Sequence, residues 1–308
     1  MKIEKPKFWD HERLSIYSII LFPLSLIYFI CHQINSLFKK RKRFQIPVIC
    51  IGNIYLGGTG KTPLALKIFD IAKSLGKKPA FVKKHHSYVV DEIRMLENTG
   101  KTFSFSKREE GILSAIQNQN DLVILDDGFQ DFSIKPNFSI LCFNTKQLIG
   151  NGFLIPSGPL REGLKAVLRA DCIVINGNEN LEFENKLKKI SGNEKLPIFH
   201  TEYKIKNIEK FINKEIIAFA GIGNPSNFFD LLKEKNLILK KSFSFPDHHN
   251  YTDEDFDKII GDNSTKIITT EKDYYRMTDK QKKICEYIKV ELLIREENEF
   301  KNLLKKNI

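Results

Sequence analysis

One short run constrains this chain more than any other: Gly57-Gly58-Thr59-Gly60-Lys61-Thr62. An apolar stretch, Val48-Ile49-Cys50-Ile51, precedes it. Pro63 to Ala72 follows, with apolar residues at helical spacing. Strand, glycine loop and helix in that order are the context of a phosphate-binding loop. Glycines let backbone N–H groups converge on phosphate oxygens, and the new helix points its positive dipole end at the same anion. The residues of the loop, Tyr55, Leu56, Gly57, Gly58, Thr59, Gly60, Lys61 and Thr62, are therefore the expected phosphate cradle. Lys61 reaches the β- and γ-phosphates, and the Thr62 hydroxyl ligates Mg²⁺. The strict pattern has glycine at position 55, where this chain has Tyr55.

Composition sets the frame for that motif. At 308 residues the chain has room for two domains and an appendage. Its net charge of +11 favours an anionic partner: a membrane surface, nucleic acid or a phosphorylated substrate. The five cysteines are scattered and form no C-x-x-C pair, so neither a zinc site nor a disulfide framework is indicated.

The N-terminus carries a second feature. Between Arg13 and Lys39 there is no Asp, Glu, Lys or Arg, and Ile, Leu, Phe and Tyr dominate Leu14 to Ile34. A spanning helix needs about 20 such residues. Pro23, Ser15, Ser18, Ser25 and His32 interrupt the run and favour an anchor lying in one leaflet over a span. The cluster Lys39-Lys40-Arg41-Lys42-Arg43 marks a cytoplasmic side and is drawn to anionic membrane lipid by about 1 kcal/mol per residue.

Beyond the anchor, strand candidates alternate with amphipathic helices: Val48–Ile51, Pro79–Val82, Leu122–Leu125, Ser139–Phe143 and Cys172–Ile175. The alternation predicts an α/β fold, a P-loop NTPase-like parallel sheet with helices on both faces. A second αβ pattern holds Ile216–Ala220, a helix from Pro225 to Lys235, Lys266–Thr270 and Ile288–Ile294. The expected organisation is an N-terminal membrane-associated helix and basic linker (1–45), a P-loop core domain (46–205) and a smaller α/β domain (206–308). The tail Glu296–Ile308 reads as a short amphipathic helix.

Leu122-Val123-Ile124-Leu125-Asp126-Asp127 has the form of a Walker B strand, with acids at the carboxyl end, where open α/β sheets bind ligands. Asp126 is placed in the Mg²⁺ shell, and Asp127 orients the metal or substrate. In Pro156-Ser157-Gly158-Pro159-Leu160-Arg161-Glu162, Arg161 is a candidate brace for phosphate charge and Glu162 a candidate metal ligand. By composition alone a surface turn is the better reading of that segment. Asp247-His248-His249 is a polar loop in which His248 suits an orienting or proton-relay role. Thr269-Thr270-Glu271-Lys272-Asp273 places charges at another strand end.

Together these segments resemble the tetraacyldisaccharide 4'-kinase family. The matches are Gly52-Asn53 with the Gly57–Pro63 loop, Asp126-Asp127-Gly128-Phe129-Gln130, Pro156–Glu162, Gly221-Ile222-Gly223-x-Pro225, Asp247-His248 and Thr270-Glu271-Lys272-Asp273, in the family's order. The resemblance implies phosphorylation of the 4'-hydroxyl of a lipid A disaccharide precursor, using ATP and Mg²⁺, at the cytoplasmic face of the bacterial inner membrane. It implies no nucleic-acid partner, and no obligate protein partner is evident. It makes Asp91, in Val90-Asp91-Glu92, the acceptor of the sugar hydroxyl proton, with His248 as its partner and His249 as the alternative. The chain departs from the family in Lys83-Lys84-His85-His86-Ser87-Tyr88, where Ser-Arg-Gly-Tyr-Gly is usual, and in Asp131, where His is usual.

Two other classes fit parts of the pattern. A membrane-bound partitioning ATPase needs a lysine before the paired glycines, where this chain has Leu56. A nucleic-acid-dependent NTPase fits the basic charge, but much of that charge lies next to the membrane segment, and no aromatic RNA-binding signature accompanies it.

Overall fold

The computed structural model describes residues 6–10, 15–86, 89–260 and 265–308. Ser87 and Tyr88 of the loop after the second strand lie outside the described residues, as do Arg13 and Leu14 at the start of the apolar run. The chain divides into two compact units. Among the described residues, the larger holds 6–85, Gly100–Glu202 and Leu293–Ile308; the smaller holds 86–99 and 203–292.

In chain order the elements are α1 (Ile16–Phe38), β1 (Val48–Gly52), α2 (Lys61–Ser74), β2 (Pro79–Lys84), α3 (Val90–Thr99), β3 (Thr102–Phe105), α4 (Arg108–Gln117), β4 (Leu122–Asp126), β5 (Phe138–Asn144), β6 (Cys172–Asn176), α5 (Leu181–Ser191) and β7 (Ile198–Ile205). There follow β8 (Glu215–Ala220), α6 (Pro225–Glu234), β9 (Ile238–Ser244), α7 (Asp253–Ile259), β10 (Lys266–Thr270), α8 (Glu271–Arg276), α9 (Asp279–Lys282), β11 (Glu286–Ile288), β12 (Val290–Ile294) and α10 (Glu297–Asn307).

The main sheet has the order β12-β7-β6-β5-β1-β4-β2-β3. From β3 to β7 neighbouring strands run parallel. A parallel sheet is covered on both faces, so its central strands read as unbroken apolar runs. Every residue of β1, β4 and β5 is buried accordingly. β1 lies between β5 and β4, so the chain leaves it at a switch in strand order, where such sheets bind ligands. Gly52 ends β1 because a Cβ there would overlap the Phe129 side chain and press on its backbone. The smaller unit repeats the principle with a parallel sheet, β11-β10-β8-β9.

Helix α1 runs 23 residues, through Pro23. At about 1.5 Å per residue it is long enough to cross a bilayer. Its sides differ. Ile19, Ile20, Ile27, Ile30, Leu37 and Phe38 are exposed, whereas Ser18 and Ser25 are buried. Asn151 donates to the Ser18 hydroxyl (3.1 Å), Ser25 donates to the Ser157 hydroxyl (2.8 Å), and the Tyr28 hydroxyl donates to the Arg161 carbonyl (2.9 Å). The polar residues that dilute the run thus form one edge fastened to the 151–161 loop.

The units differ from the expected segments in two excursions. Residues 86–99 belong with the smaller unit, and residues 293–308 return to the larger. The extended segment Ile288–Ile294 divides into β11 and β12.

Candidate functional site

In the larger unit, the carboxyl ends of β1 and β4 and the start of α2 converge. Gly60 caps α2 with φ 87°, a left-handed conformation that suits glycine. The first N–H groups of α2 are left for an anion by the helix geometry itself. Thr59 is buried and its hydroxyl has no protein partner, so the loop presents an unused donor as well. Asn53 braces the loop by donating to the carbonyls of Tyr55 (2.6 Å) and Gly57 (3.2 Å). Two of the expected cradle residues point elsewhere. The Leu56 N–H donates to the Pro159 carbonyl (2.8 Å), so it is spent on the loop fold. Tyr55 is fully buried, and its hydroxyl donates to Asp10 (2.5 Å). The part of the loop open to an anion therefore begins at Gly57.

Lys61 and Arg161 both face Asp127. Nζ of Lys61 lies 3.7 Å from Oδ1, and Arg161 donates to Oδ1 (3.1 Å) and Oδ2 (3.2 Å). Asp127 adopts φ 60°, left-handed backbone that aspartate tolerates better than most residues. Burial alone raises its carboxyl pKa, but Lys61, Arg161, Lys83 and Arg108 outweigh that and hold it well below the usual carboxylate range. Arg108 also donates to the Asp127 carbonyl (2.5 Å) and to Asp131 (3.2 Å). Asp131 is thereby engaged with Arg108 and the Ser133 hydroxyl (2.5 Å), not with Asp126.

Asp126 is fully buried at the end of β4. Thr62 donates to its Oδ2 (2.9 Å), and its Oδ1 is buried with no hydrogen-bond partner. A hydroxyl beside a carboxylate with an unused oxygen fits a hard divalent cation, which takes a few protein oxygens and completes its shell with phosphate and water. No group of three His, Cys, Asp or Glu side chains suited to a metal occurs among the described residues. Glu162 does not fit that shell as it stands. Its Oε2 meets Arg169 at 2.8 Å, and its Oε1 accepts from Gln130 (2.9 Å) and Arg169 (2.9 Å). Gln130 in turn donates to the Asn53 carbonyl (2.8 Å), so Glu162 supports the loop behind the cradle.

The smaller unit holds a second cluster. Asp91 lies in the first turn of α3, where the helix dipole favours a carboxylate, and is 1% exposed. His248, at φ 57° in the loop after β9, donates from Nδ1 to Asp91 Oδ2 at 3.1 Å. The Lys272 ammonium lies 3.3 Å from its Nε2. Lys272 also pairs with Glu92 (2.9 Å) and Asp247 (3.4 Å), and Arg276 Nε is 3.4 Å from Asp91. Burial raises the Asp91 carboxyl pKa, yet the His248 hydrogen bond and the charges of Lys272, His248 and Arg276 prevail and keep it below the usual range. Asp91 Oδ1 has no hydrogen-bond partner. His249 goes elsewhere: its Nε2 meets Asp255 (2.8 Å), the N3 residue of the α7 capping box whose N-cap is Thr252. The geometry thus pairs Asp91 with His248.

Residues 17–308 match the sequence profile of the tetraacyldisaccharide-1-P 4'-kinase family. The chain belongs to this family. It is 39% identical to the tetraacyldisaccharide 4'-kinase of Pelagibacter ubique over 99% of this chain and 98% of that protein. It is 32% identical to the Rickettsia bellii tetraacyldisaccharide 4'-kinase, with 91% of each chain covered. Its fold is similar to that of LpxK from Aquifex aeolicus, crystallised in complex with ATP. That likeness has a TM-score of 0.74 at 23% identity and covers 94% of this chain and 99% of that one.

Sequence reasoning missed Lys83, Arg108, Arg169 and Gln130 around the cradle, and Lys272 and Arg276 around Asp91. Lys83, Gln130 and Lys272 left a trace, as part of a departure from the family pattern, as part of the Asp126–Gln130 segment and as a charge at the end of a predicted strand, but none was given its role.

Proposed function

We propose that this chain transfers the γ-phosphate of ATP to the 4'-hydroxyl of a tetraacyldisaccharide 1-phosphate, the lipid A precursor that becomes lipid IVA. The observation that carries the reading is membership of the kinase family over nearly the whole chain, joined to a Gly57–Thr62 loop that leads from β1 into the start of α2. The backbone from Gly57 to Thr62 binds the phosphates, and Lys61 and Arg161 leave Asp127 for the anion. Thr62 and Asp126 would hold Mg²⁺, which when bound neutralises charge on the transferred phosphoryl group. Asp91 takes the hydroxyl proton while the sugar oxygen forms its bond to phosphorus and the bridging bond to ADP breaks. His248 orients Asp91 from the opposite oxygen, and Lys272 and Arg276 keep it ionised. Transfer of this kind is mainly positioning and charge neutralisation.

The exposed apolar side of α1 is proposed to enter the cytoplasmic leaflet. A helix fastened along one edge to polar loop groups is not surrounded by hydrocarbon, which favours a monotopic anchor over a span. Anionic lipid attracts the adjoining Lys39–Arg43 cluster.

The test is transfer of labelled phosphate from ATP to the disaccharide precursor in detergent, with and without Mg²⁺. Label appearing in the lipid only with Mg²⁺ is the expected result. ATP hydrolysis with no labelled lipid would overturn the reading in favour of a membrane-bound ATPase.

A further inference from the structure

A buried lysine stands inside the phosphate site, and the loop motif does not call for it. Lys83 sits near the end of β2, level with Asp126 of β4 in the sheet register. It is 4% exposed, and its Nζ lies 2.6 Å from Asp126 Oδ2, the oxygen that also accepts from Thr62. Neither charge would be buried alone without heavy desolvation cost, so each is the other's counter-ion. Around the cradle, Lys61 and Arg161 face Asp127 while Lys83 faces Asp126. Three cationic side chains, Lys61, Arg161 and Lys83, thus face the two carboxylates Asp126 and Asp127. Such a cradle draws a polyanion and repels a free divalent cation.

We propose that Lys83 is an internal counter-ion that holds the metal-binding carboxylate until nucleotide arrives, so that the protein takes Mg²⁺ together with ATP and hardly at all before it. The triphosphate reverses the local charge. It supplies oxygens to the metal and an anionic neighbour for the Lys83 ammonium, and Asp126 is then shared instead of contested. The proposal rests on the reading of Thr62 and Asp126 as the metal site.

The test measures Mn²⁺ binding by electron paramagnetic resonance, and Mg²⁺-dependent thermal stabilisation, on the full chain without nucleotide. Wild type should bind Mn²⁺ only in the millimolar range. Lys83→Met, which keeps length and removes charge, should bind at least about tenfold tighter and be stabilised by Mg²⁺, since the metal replaces the lost counter-ion. Lys83→Arg should stay as weak as wild type. The double variant Lys83→Met/Asp126→Asn should lose the gain and, with both charges removed, should fold without metal. Micromolar Mn²⁺ binding by nucleotide-free wild type would overturn the proposal, and that measurement does not depend on any variant folding. No gain in a folded Lys83→Met protein would overturn it while leaving Asp126 as the metal residue. A gain that survives in the double variant would place the metal away from Asp126 and overturn the reading beneath it.

Discussion

The two clusters treat a carboxylate in opposite ways. At the candidate cradle, Lys61 and Arg161 rest on Asp127 across 3.1–3.7 Å. In the smaller unit, Asp91 is the centre of its cluster, with His248 on one oxygen and the other left without a partner. Both carboxyls are kept ionised against burial, but by different means. At the cradle the cations Lys61 and Arg161 face the carboxylate from the loop and the 156–162 segment. The Asp91 cluster uses a hydrogen-bonded imidazole and cations that are themselves tied to Glu92, Asp247 and Asp273. The first arrangement suits binding an anion, and the second suits holding a base ready for a proton.

The largest expected effect breaks the cradle. Lys61→Ala should lower transfer by about 10³-fold or more, since a charge clamp on the phosphoryl group is lost. The fold should survive, because Lys61 begins α2 with its side chain turned to the site. Near-normal turnover would remove Lys61 from catalysis. A milder change sharpens the role of α1. Ile20→Glu with Ile27→Glu, both on its exposed side, should weaken sedimentation with anionic vesicles and raise KM for bilayer-presented substrate about tenfold. Turnover in detergent should be unchanged, and unaltered vesicle binding would place the anchor elsewhere.

The smallest effect concerns stability. The Asp127 carboxyl is depressed in the folded state, so its contribution is present above the ordinary value of about 3.9 and is lost as pH falls through the folded value. Asp127→Asn should therefore cost roughly 1.5–3 kcal/mol at neutral pH. The gap to wild type in denaturant midpoint should hold from pH 8 to 5 and narrow below about pH 4. A gap that widens in acid would contradict the charge assignment.

The same contrast explains how far the chain could be read before its structure. The cradle is contiguous, so Gly57 to Thr62 and the buried run ending in Asp126 announce themselves. Asp91 and His248 are 157 residues apart, and only the family resemblance joined them. No local pattern tells His248 from His249; the capping box of α7 does, by engaging Asp255. Lys83 stood out as a departure, but its pairing with Asp126 was illegible because strand order sets it: β2 pairs with β4 although α3, β3 and α4 intervene. β3 escaped notice as a four-residue edge strand with no fully buried position. β9 escaped because Lys240 and Lys241 interrupt it on a largely exposed strand. The serines of α1 read as flaws in a membrane span until Asn151 and Ser157 supplied their partners.

We propose that Asp91 and His248 act as one unit in phosphate transfer. Single-turnover phosphate transfer by Asp91→Ala, His248→Ala, the double variant and His249→Ala tests it most directly. Each single change should slow transfer by about 10²–10⁴-fold while ATP binding stays within about threefold of wild type. The double variant should be hardly slower than the worse single one, because a base and its orienting partner fail together. His249→Ala should transfer at close to the wild-type rate. Fully multiplicative losses would contradict the claim, as would a large loss in His249→Ala with none in His248→Ala.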